Sequence, residues 1–127
     1  MTGCLIVLSL LVVGCSSTPS GDDPSYETIS AQQAKQMMDG ASGYVILDVR
    51  TQAEFQQAHI DGAILIPDTN INSQAATAIP DKETLIFVYC RTGVRAARAS
   101  QALATMGYTN VYDFGGIVNW PYGTVTG

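Results

Sequence analysis

The chain has 127 residues, of which 46% are hydrophobic, and its formal net charge at pH 7 is -5. This length suits one domain, the apolar content argues against a disordered chain, and the acidic balance argues against nucleic acid as a partner. Three of the six basic residues, Arg91, Arg95 and Arg98, nevertheless fall within eight positions. That local concentration of positive charge predicts a small anionic substrate.

The chain begins with an apolar segment. Residues 4–13 (CLIVLSLLVV) form a run of ten, too short for a stable transmembrane helix but typical of the core of a signal peptide. Residues 12–16 (VVGCS) resemble the bacterial lipoprotein box. The resemblance implies a signal peptide over 1–14 and lipidation of Cys15. We therefore expect a lipid-anchored protein of the bacterial cell envelope, facing the periplasm or exterior; a plain secretory signal or a short membrane anchor is the alternative.

A polar linker follows the apolar segment. Residues 16–25 (SSTPSGDDPS) are small, polar, Pro or Gly, and cannot bury apolar area. We assign 15–25 to the lipidated cysteine and a flexible tether, and 26–127 to the folded domain. The tether would let the domain stand off the membrane.

The folded part alternates strand and helix patterns. Capping-box patterns at Ser30 and Thr51 open helices that run to about Met38 and Ala58. Residues 68–79 are expected to form a polar connection, which can include a helical turn. Strand patterns occupy 28–29, 44–47, 64–66, 85–89 and 111–112, and a further helix occupies 96–106 before Gly107. This alternation predicts an α/β fold with a mainly parallel sheet.

One cysteine stands between a buried strand pattern and a helix pattern. Cys90 follows the strand at 85–89 (LIFVY) and precedes the helix. Helix N-termini present unpaired N–H groups and positive dipole ends, which bind anions and favour a thiolate. A buried structural cysteine is the alternative, but the adjacent arginines favour a reactive one. We predict that Cys90 is catalytic and that the following loop binds substrate through Arg91, Thr92, Gly93, Val94 and Arg95.

Other polar residues are expected to support this site. Asp48, Arg50 and Glu54 end one strand and open the next helix, and Arg50 is expected to pair with Glu54. Arg98 is expected on a solvated helix face, and His59 is expected to be structural. Cys90 is the single cysteine of the predicted folded part, and the chain has one histidine. A metal site is therefore not expected.

Three ordered segments resemble signature motifs of the rhodanese family. They are residues 45–63, which contain VILDVR, EF and HIDGA, residues 88–96 (VYCRTGVRA), and the pair Gly115-Gly116 followed by Trp120. The resemblance covers about 26–120. It implies a single rhodanese-like α/β domain, with a central, mainly parallel sheet flanked by helices, that moves sulfane sulfur on a cysteine.

The resemblance also implies a mechanism. The Cys90 thiolate would take sulfur from thiosulfate or a similar anionic donor, and the resulting persulfide would pass it to cyanide or a thiol. No cofactor is implied. A sulfur-carrier or protein-binding module without turnover is the alternative. A phosphatase or arsenate reductase is less favoured, because those enzymes place five residues between Cys and Arg, whereas four separate Cys90 from Arg95.

Overall fold

The computed structural model describes Gly3 and residues 24–127 of the chain. Apart from Gly3, the expected signal peptide lies outside these residues, as do Cys15 and most of the expected tether. No helix in the described part is long and apolar enough to cross a membrane.

Residues 24–127 form a single parallel sheet covered by helices. The five strands of this part lie in the order β1-β5-β4-β2-β3, and every neighbouring pair is parallel. The elements are β1 (Glu27–Thr28), α1 (Ala31–Gly40), β2 (Val45–Asp48), α2 (Gln52–Gln57), β3 (Ile64–Leu65), a 3-10 turn (Asp68–Asn70), α3 (Ile71–Ala78), β4 (Ile86–Cys90), α4 (Val94–Thr105), β5 (Val111–Gly116) and a second 3-10 turn (Ile117–Asn119). The expected α/β fold, with a central parallel sheet flanked by helices, is therefore confirmed.

Both predicted capping boxes are formed. The Ser30 hydroxyl accepts a hydrogen bond from Gln33 N at 3.0 Å, and the Gln33 side chain accepts one from Ser30 N at 2.9 Å. Thr51 and Glu54 make the same reciprocal pair at the start of α2. These bonds satisfy N–H groups that have no partner inside the helix, so the local sequence sets where α1 and α2 begin.

The core lies on both faces of the sheet, and β4 is buried along its whole length. One face packs α3 and α4 against alternate strand residues, among them Leu47, Val88 and Cys90. The opposite face packs α1 against Phe87, Tyr89 and other strand residues. A strand buried on both sides needs apolar residues at every position, which explains the uninterrupted hydrophobic run of β4.

Several predicted elements differ from the structure. Residues 71–78 form a two-turn helix, because Ile71, Ala75 and Ile79 recur every four residues and are all buried. Helix α4 begins at Val94, two residues before the prediction, and β5 continues to Gly116. The longer β5 brings its glycines beside the end of β4.

The strand order creates a crevice at one edge of the sheet. From β4 the chain passes through α4 to β5, whereas from β2 it passes through α2 to β3 in the opposite direction. Because such crossovers are right-handed, α4 and α2 cover opposite faces, and a crevice opens between the carboxyl ends of β4 and β2. Ligands of open parallel sheets bind in such crevices.

Candidate active site

Cys90 is the last residue of β4 and lies at this crevice. It is 1% exposed, and the Gly93 N–H donates a hydrogen bond to Cys90 Sγ at 2.9 Å. Gly93 is the N-cap of the 12-residue helix α4 and has φ 114°, a conformation that favours glycine. The chain thus turns back over the sulfur within three residues and begins a helix there.

The five predicted loop residues have different environments. Arg91 and Thr92 are exposed, Gly93 contacts the sulfur, and the Val94 side chain is 67% exposed. Among residues 24–127, Arg91 is the one arginine with no carboxylate within ion-pair distance. Arg91 is therefore the residue of the loop whose charge remains available to an anion.

Arg95 is held by helix α2. Its Nη1 donates to Glu54 Oε1 at 2.7 Å and its Nη2 donates to Glu54 Oε2 at 3.0 Å. The hydrogen bonds from Arg95 lower the pKa of Glu54 to about 2, although partial burial opposes this shift. Both terminal nitrogens of Arg95 therefore bond within the protein, which ties the first turn of α4 to α2.

Arg50 pairs with Asp48, so the expected Arg50–Glu54 pair is wrong. Arg50 Nη2 lies 2.7 Å from Asp48 Oδ2 and 2.6 Å from the carbonyl oxygen of Ala58, to which it also donates. Both side chains of this pair are buried, at 6% and 0% exposure. The guanidinium lies 5.6 Å from the Tyr89 ring centroid. Arg50 thus joins the end of β2 to the end of α2 beneath the crevice.

Gly116 is a site residue whose structural role the sequence did not reveal. It lies beside Cys90 in the β4–β5 pairing, where the register is irregular. A Cβ atom at Gly116 would lie 2.0 Å from Arg91 O and 2.8 Å from Thr92 Cα. The loop therefore rests directly on the backbone of β5, and only a glycine leaves room for it. The Gly115-Gly116 motif was the signal available in the sequence.

The other predicted supporting residues lie away from the sulfur. Arg98 is 67% exposed and its Nη2 lies 2.8 Å from Asp68 Oδ2, so it is solvated as expected but also paired. The His59 ring stacks on Phe55 with centroids 3.8 Å apart, and its Nδ1 lies 2.8 Å from Phe55 O. These contacts support the structural role expected of His59.

A cleft of about 290 Å³ opens beside the loop. Its polar lining includes Arg50, Glu54 and Arg91, and its apolar wall is Ile117 and Val118. Within residues 24–127, no group of three or more His, Cys, Asp or Glu side chains could hold a metal ion. The described site thus offers a buried sulfur, backbone N–H groups and one unpaired arginine.

This arrangement suits a sulfur nucleophile that carries an anionic group. An N–H bond to Sγ and the positive end of α4 both stabilise negative charge on sulfur or on an atom bonded to it. The loop between Cys90 and Arg95 is short, and the guanidinium of Arg95 is already bound to Glu54. A loop this short, with its Arg95 already paired, accommodates a single sulfur atom better than a tetrahedral oxyanion that needs hydrogen bonds from an arginine.

Among known proteins, the chain is similar to several relatives, two of which are named as sulfurtransferases. The chain is 42% identical over 71 residues to thiosulfate sulfurtransferase PspE of Escherichia coli, covering 56% of this chain and 68% of that protein. It is 37% identical over 94 residues to the probable adenylyltransferase/sulfurtransferase MoeZ of Mycobacterium tuberculosis, covering 73% of this chain but only 24% of that relative. A Yersinia pestis tRNA uridine(34) hydroxylase is 31% identical, and the chain spans 31% of its length.

Solved structures agree with this result. A structure described as rhodanese with anions from E. coli has a TM-score of 0.64 at 38% identity and covers 67% of this chain and 100% of that one. A rhodanese-like domain protein from Staphylococcus aureus has a TM-score of 0.70 at 26% identity, covering 80% of this chain and 98% of that one. The rhodanese-like domain family matches residues 30–121. With that match over most of its length, the chain belongs to the rhodanese-like domain family.

Proposed function

We propose that this protein is a sulfurtransferase that moves sulfane sulfur from thiosulfate to cyanide or a thiol through a persulfide on Cys90. The observation that carries the proposal is the 2.9 Å contact between Gly93 N–H and Cys90 Sγ at the carboxyl end of β4. This contact sits at the start of α4 in the crevice where parallel sheets bind ligands. The surroundings of Cys90 Sγ therefore favour a negatively charged sulfur, both in the thiolate that attacks the donor and in the persulfide that forms.

The proposed reaction has two steps. In the first, the Cys90 thiolate attacks the outer sulfur of thiosulfate, an S–S bond forms on Cys90, the donor S–S bond breaks, and sulfite leaves with its electron pair. In the second, the acceptor attacks the outer sulfur of the Cys90 persulfide and Cys90 leaves as thiolate. Cyanide yields thiocyanate, and a thiolate yields a new persulfide. Neither step needs an oxidant, a metal or an organic cofactor.

The loop residues take distinct roles in this proposal. Arg91, exposed and unpaired among the described residues, attracts and orients the thiosulfate dianion. The Gly93 N–H, which already contacts Cys90 Sγ, stabilises the charge that develops on the persulfide, together with the positive end of α4. Arg95 acts through Glu54, holding the turn in shape.

The relatives support this class of reaction but also show its range. Two proteins similar to this chain carry the name thiosulfate sulfurtransferase, PspE of E. coli and a Pseudomonas aeruginosa protein of which the chain covers 20%. MoeZ and the tRNA hydroxylase are much longer than their matched parts. Because the family includes such different proteins, a sulfur carrier or protein-binding module that does not turn over thiosulfate is the second candidate function.

One experiment separates the two candidates. The domain 26–127 is incubated with thiosulfate and weighed by mass spectrometry, and thiocyanate formation is then followed with cyanide. We expect a gain of one sulfur atom and catalytic turnover, both lost in Cys90→Ser. A gain of sulfur without turnover would establish the carrier. Turnover in Cys90→Ser equal to that of the unaltered domain would refute the mechanism altogether.

We also propose that the chain is exported and anchored to a bacterial membrane through lipid on Cys15. The motivation is the VVGCS segment at 12–16 after the apolar run. We expect radiolabelled palmitate to enter the unaltered protein and not Cys15→Ala. Cys4→Ala serves as the matched control, because Cys4 precedes the expected cleavage site. An unaltered protein without label would contradict lipidation.

A further inference from the structure

Two exposed valines flank the Cys90 loop. Val94 is 67% exposed and Val118 is 61% exposed, and among residues 24–127 no other large hydrophobic side chain exceeds 44%. Isolated exposed apolar residues need no explanation, but these two are tied to the same loop, Val94 through the chain and Val118 through a backbone hydrogen bond to Arg91. A ligand bound at this loop therefore meets an exposed apolar side chain on each side of it.

Contacts in the backbone fix both valines to the loop. Val94 directly follows Gly93, whose N–H contacts the sulfur. Val118 N donates to the Arg91 carbonyl oxygen at 3.4 Å, and Val118 also lines the cleft beside the loop. One valine therefore lies on the α4 side of the loop and the other on the β5 side.

The charge at the same rim is positive and unpaired. Every other arginine described has a carboxylate partner: Asp48 for Arg50, Glu54 for Arg95 and Asp68 for Arg98. Arg91 has none in this part of the chain and is exposed. A partner that covers the two valines therefore binds most tightly and most specifically if it also places a carboxylate against Arg91.

The size of the cleft favours a large acceptor. Its volume of about 290 Å³ far exceeds that of cyanide, which is two atoms, and small acceptors gain nothing from exposed valines. A polypeptide segment can fill the cleft against Val118 and also extend across the loop to Val94, which lies outside the cleft.

We propose that the surface formed by Arg91, Val94 and Val118 docks a protein that presents its acceptor cysteine between an apolar side chain and a carboxylate. This inference rests on the proposed function and names the acceptor. The partner's thiolate attacks the outer sulfur of the Cys90 persulfide. The S–S bond to Cys90 breaks, Cys90 leaves as thiolate, and the partner holds the new persulfide, with charge and electrons balanced.

The test compares acceptors that differ only around the cysteine. Two blocked pentapeptides place cysteine either between leucine and glutamate or between serine and lysine, and N-acetylcysteine represents a small thiol. The persulfide is loaded with polysulfide, so that the result does not depend on thiosulfate as donor. The rate at which each thiol discharges the Cys90 persulfide is divided by the rate at which the same thiol reacts with a small disulfide. This ratio removes differences in the intrinsic reactivity of the thiols.

We expect the leucine–glutamate peptide to discharge the unaltered domain roughly tenfold faster than either other thiol, with a preference that falls as salt rises. Val94→Thr and Val118→Thr should each reduce that preference about fourfold. Each change replaces one methyl group by a hydroxyl, and burying a methyl group contributes a free energy that corresponds to about this rate ratio. Val125→Thr is the matched control, because Val125 is also exposed but its backbone pairs with His59.

Several results would overturn the docking proposal. They are equal rates for all three thiols, a preference unchanged in both valine variants, or a preference reduced as much in Val125→Thr. Failure of thiosulfate to load Cys90 would instead refute the proposed donor and leave the acceptor measurement intact, because polysulfide supplies the sulfur.

Discussion

The guanidinium of Arg95 and the carboxylate of Glu54 meet in a bidentate pair, with N–O distances of 2.7 and 3.0 Å. These residues are 41 positions apart and join the first turn of α4 to α2 at the mouth of the site. Both side chains are about three-quarters buried, at 25% and 28% exposure. The pair therefore holds the first turn of α4 against α2, whereas Arg91 has no carboxylate partner in the described part of the chain.

Breaking this pair should slow catalysis more than it changes donor binding. We expect Glu54→Gln and Arg95→Lys each to lower kcat for thiosulfate by roughly tenfold with a smaller change in KM, because the loop N–H groups lose their alignment. The double variant should lose no more than the worse single variant, since both act through one contact. Asp68→Asn breaks the exposed Arg98 pair on the same helix and should leave kcat unchanged. Strictly additive losses would mean that the two residues act independently.

The same pair should make stability depend on pH. The pKa of Glu54 is about 2 in the fold against an ordinary value of 4.5, mainly through the Arg95 hydrogen bond. A carboxyl group whose pKa is lowered by folding stabilises the protein above its unfolded pKa and loses that contribution as pH falls through the folded value. The Tm difference between the unaltered domain and Glu54→Gln should therefore be constant above about pH 5 and shrink between 4.5 and 2. A difference that is flat across this range would contradict the shift.

Arg91 should govern the choice of an anionic donor. Arg91→Ala removes one charge-assisted hydrogen bond, worth about 1.5–3 kcal/mol, and should lower kcat/KM for thiosulfate roughly ten- to a hundredfold. An uncharged sulfur donor should be affected little, because only an anion responds to the lost charge. Lys82→Ala is a control for net charge, since Lys82 lies over the Tyr108 ring and precedes β4, whereas the loop follows the carboxyl end of that strand. Equal losses for both donors would show that Arg91 shapes the loop instead.

Gly116 should be intolerant of any side chain. Its φ of -130° is open to all residues, so the obstacle is the 2.0 Å approach of a new Cβ to Arg91 O. We expect Gly116→Ala to displace the loop, abolish most sulfur transfer and destabilise the domain by about 1–3 kcal/mol. Gly43→Ala, where nothing lies within 4 Å and no positive φ is found, should be neutral in both measurements. A fully active Gly116→Ala domain would show that the loop can move without cost.

Local patterns in the sequence predicted much of the fold. The capping boxes at Ser30 and Thr51 and the apolar run before Cys90 depend on neighbours a few residues away, so they could be read directly. Helix α3 was missed because its two buried residues, Ile71 and Ala75, and the buried Ile79 that follows it are spread among polar ones over only two turns. A short helix of this kind is stabilised by packing on the sheet rather than by its own sequence.

The pairing of charges was decided by tertiary structure. Arg50 and Glu54 are four residues apart and could have paired, but the end of β2 places Arg50 against Asp48 while α2 turns Glu54 toward Arg95. Likewise, only the sheet order β5-β4-β2 brings Gly116 against the loop and opens the crevice at Cys90. The sequence by itself determined which residue is the nucleophile candidate and which elements surround it. Which arginine remains unpaired depends on distances between segments far apart in the chain, which no local pattern encodes.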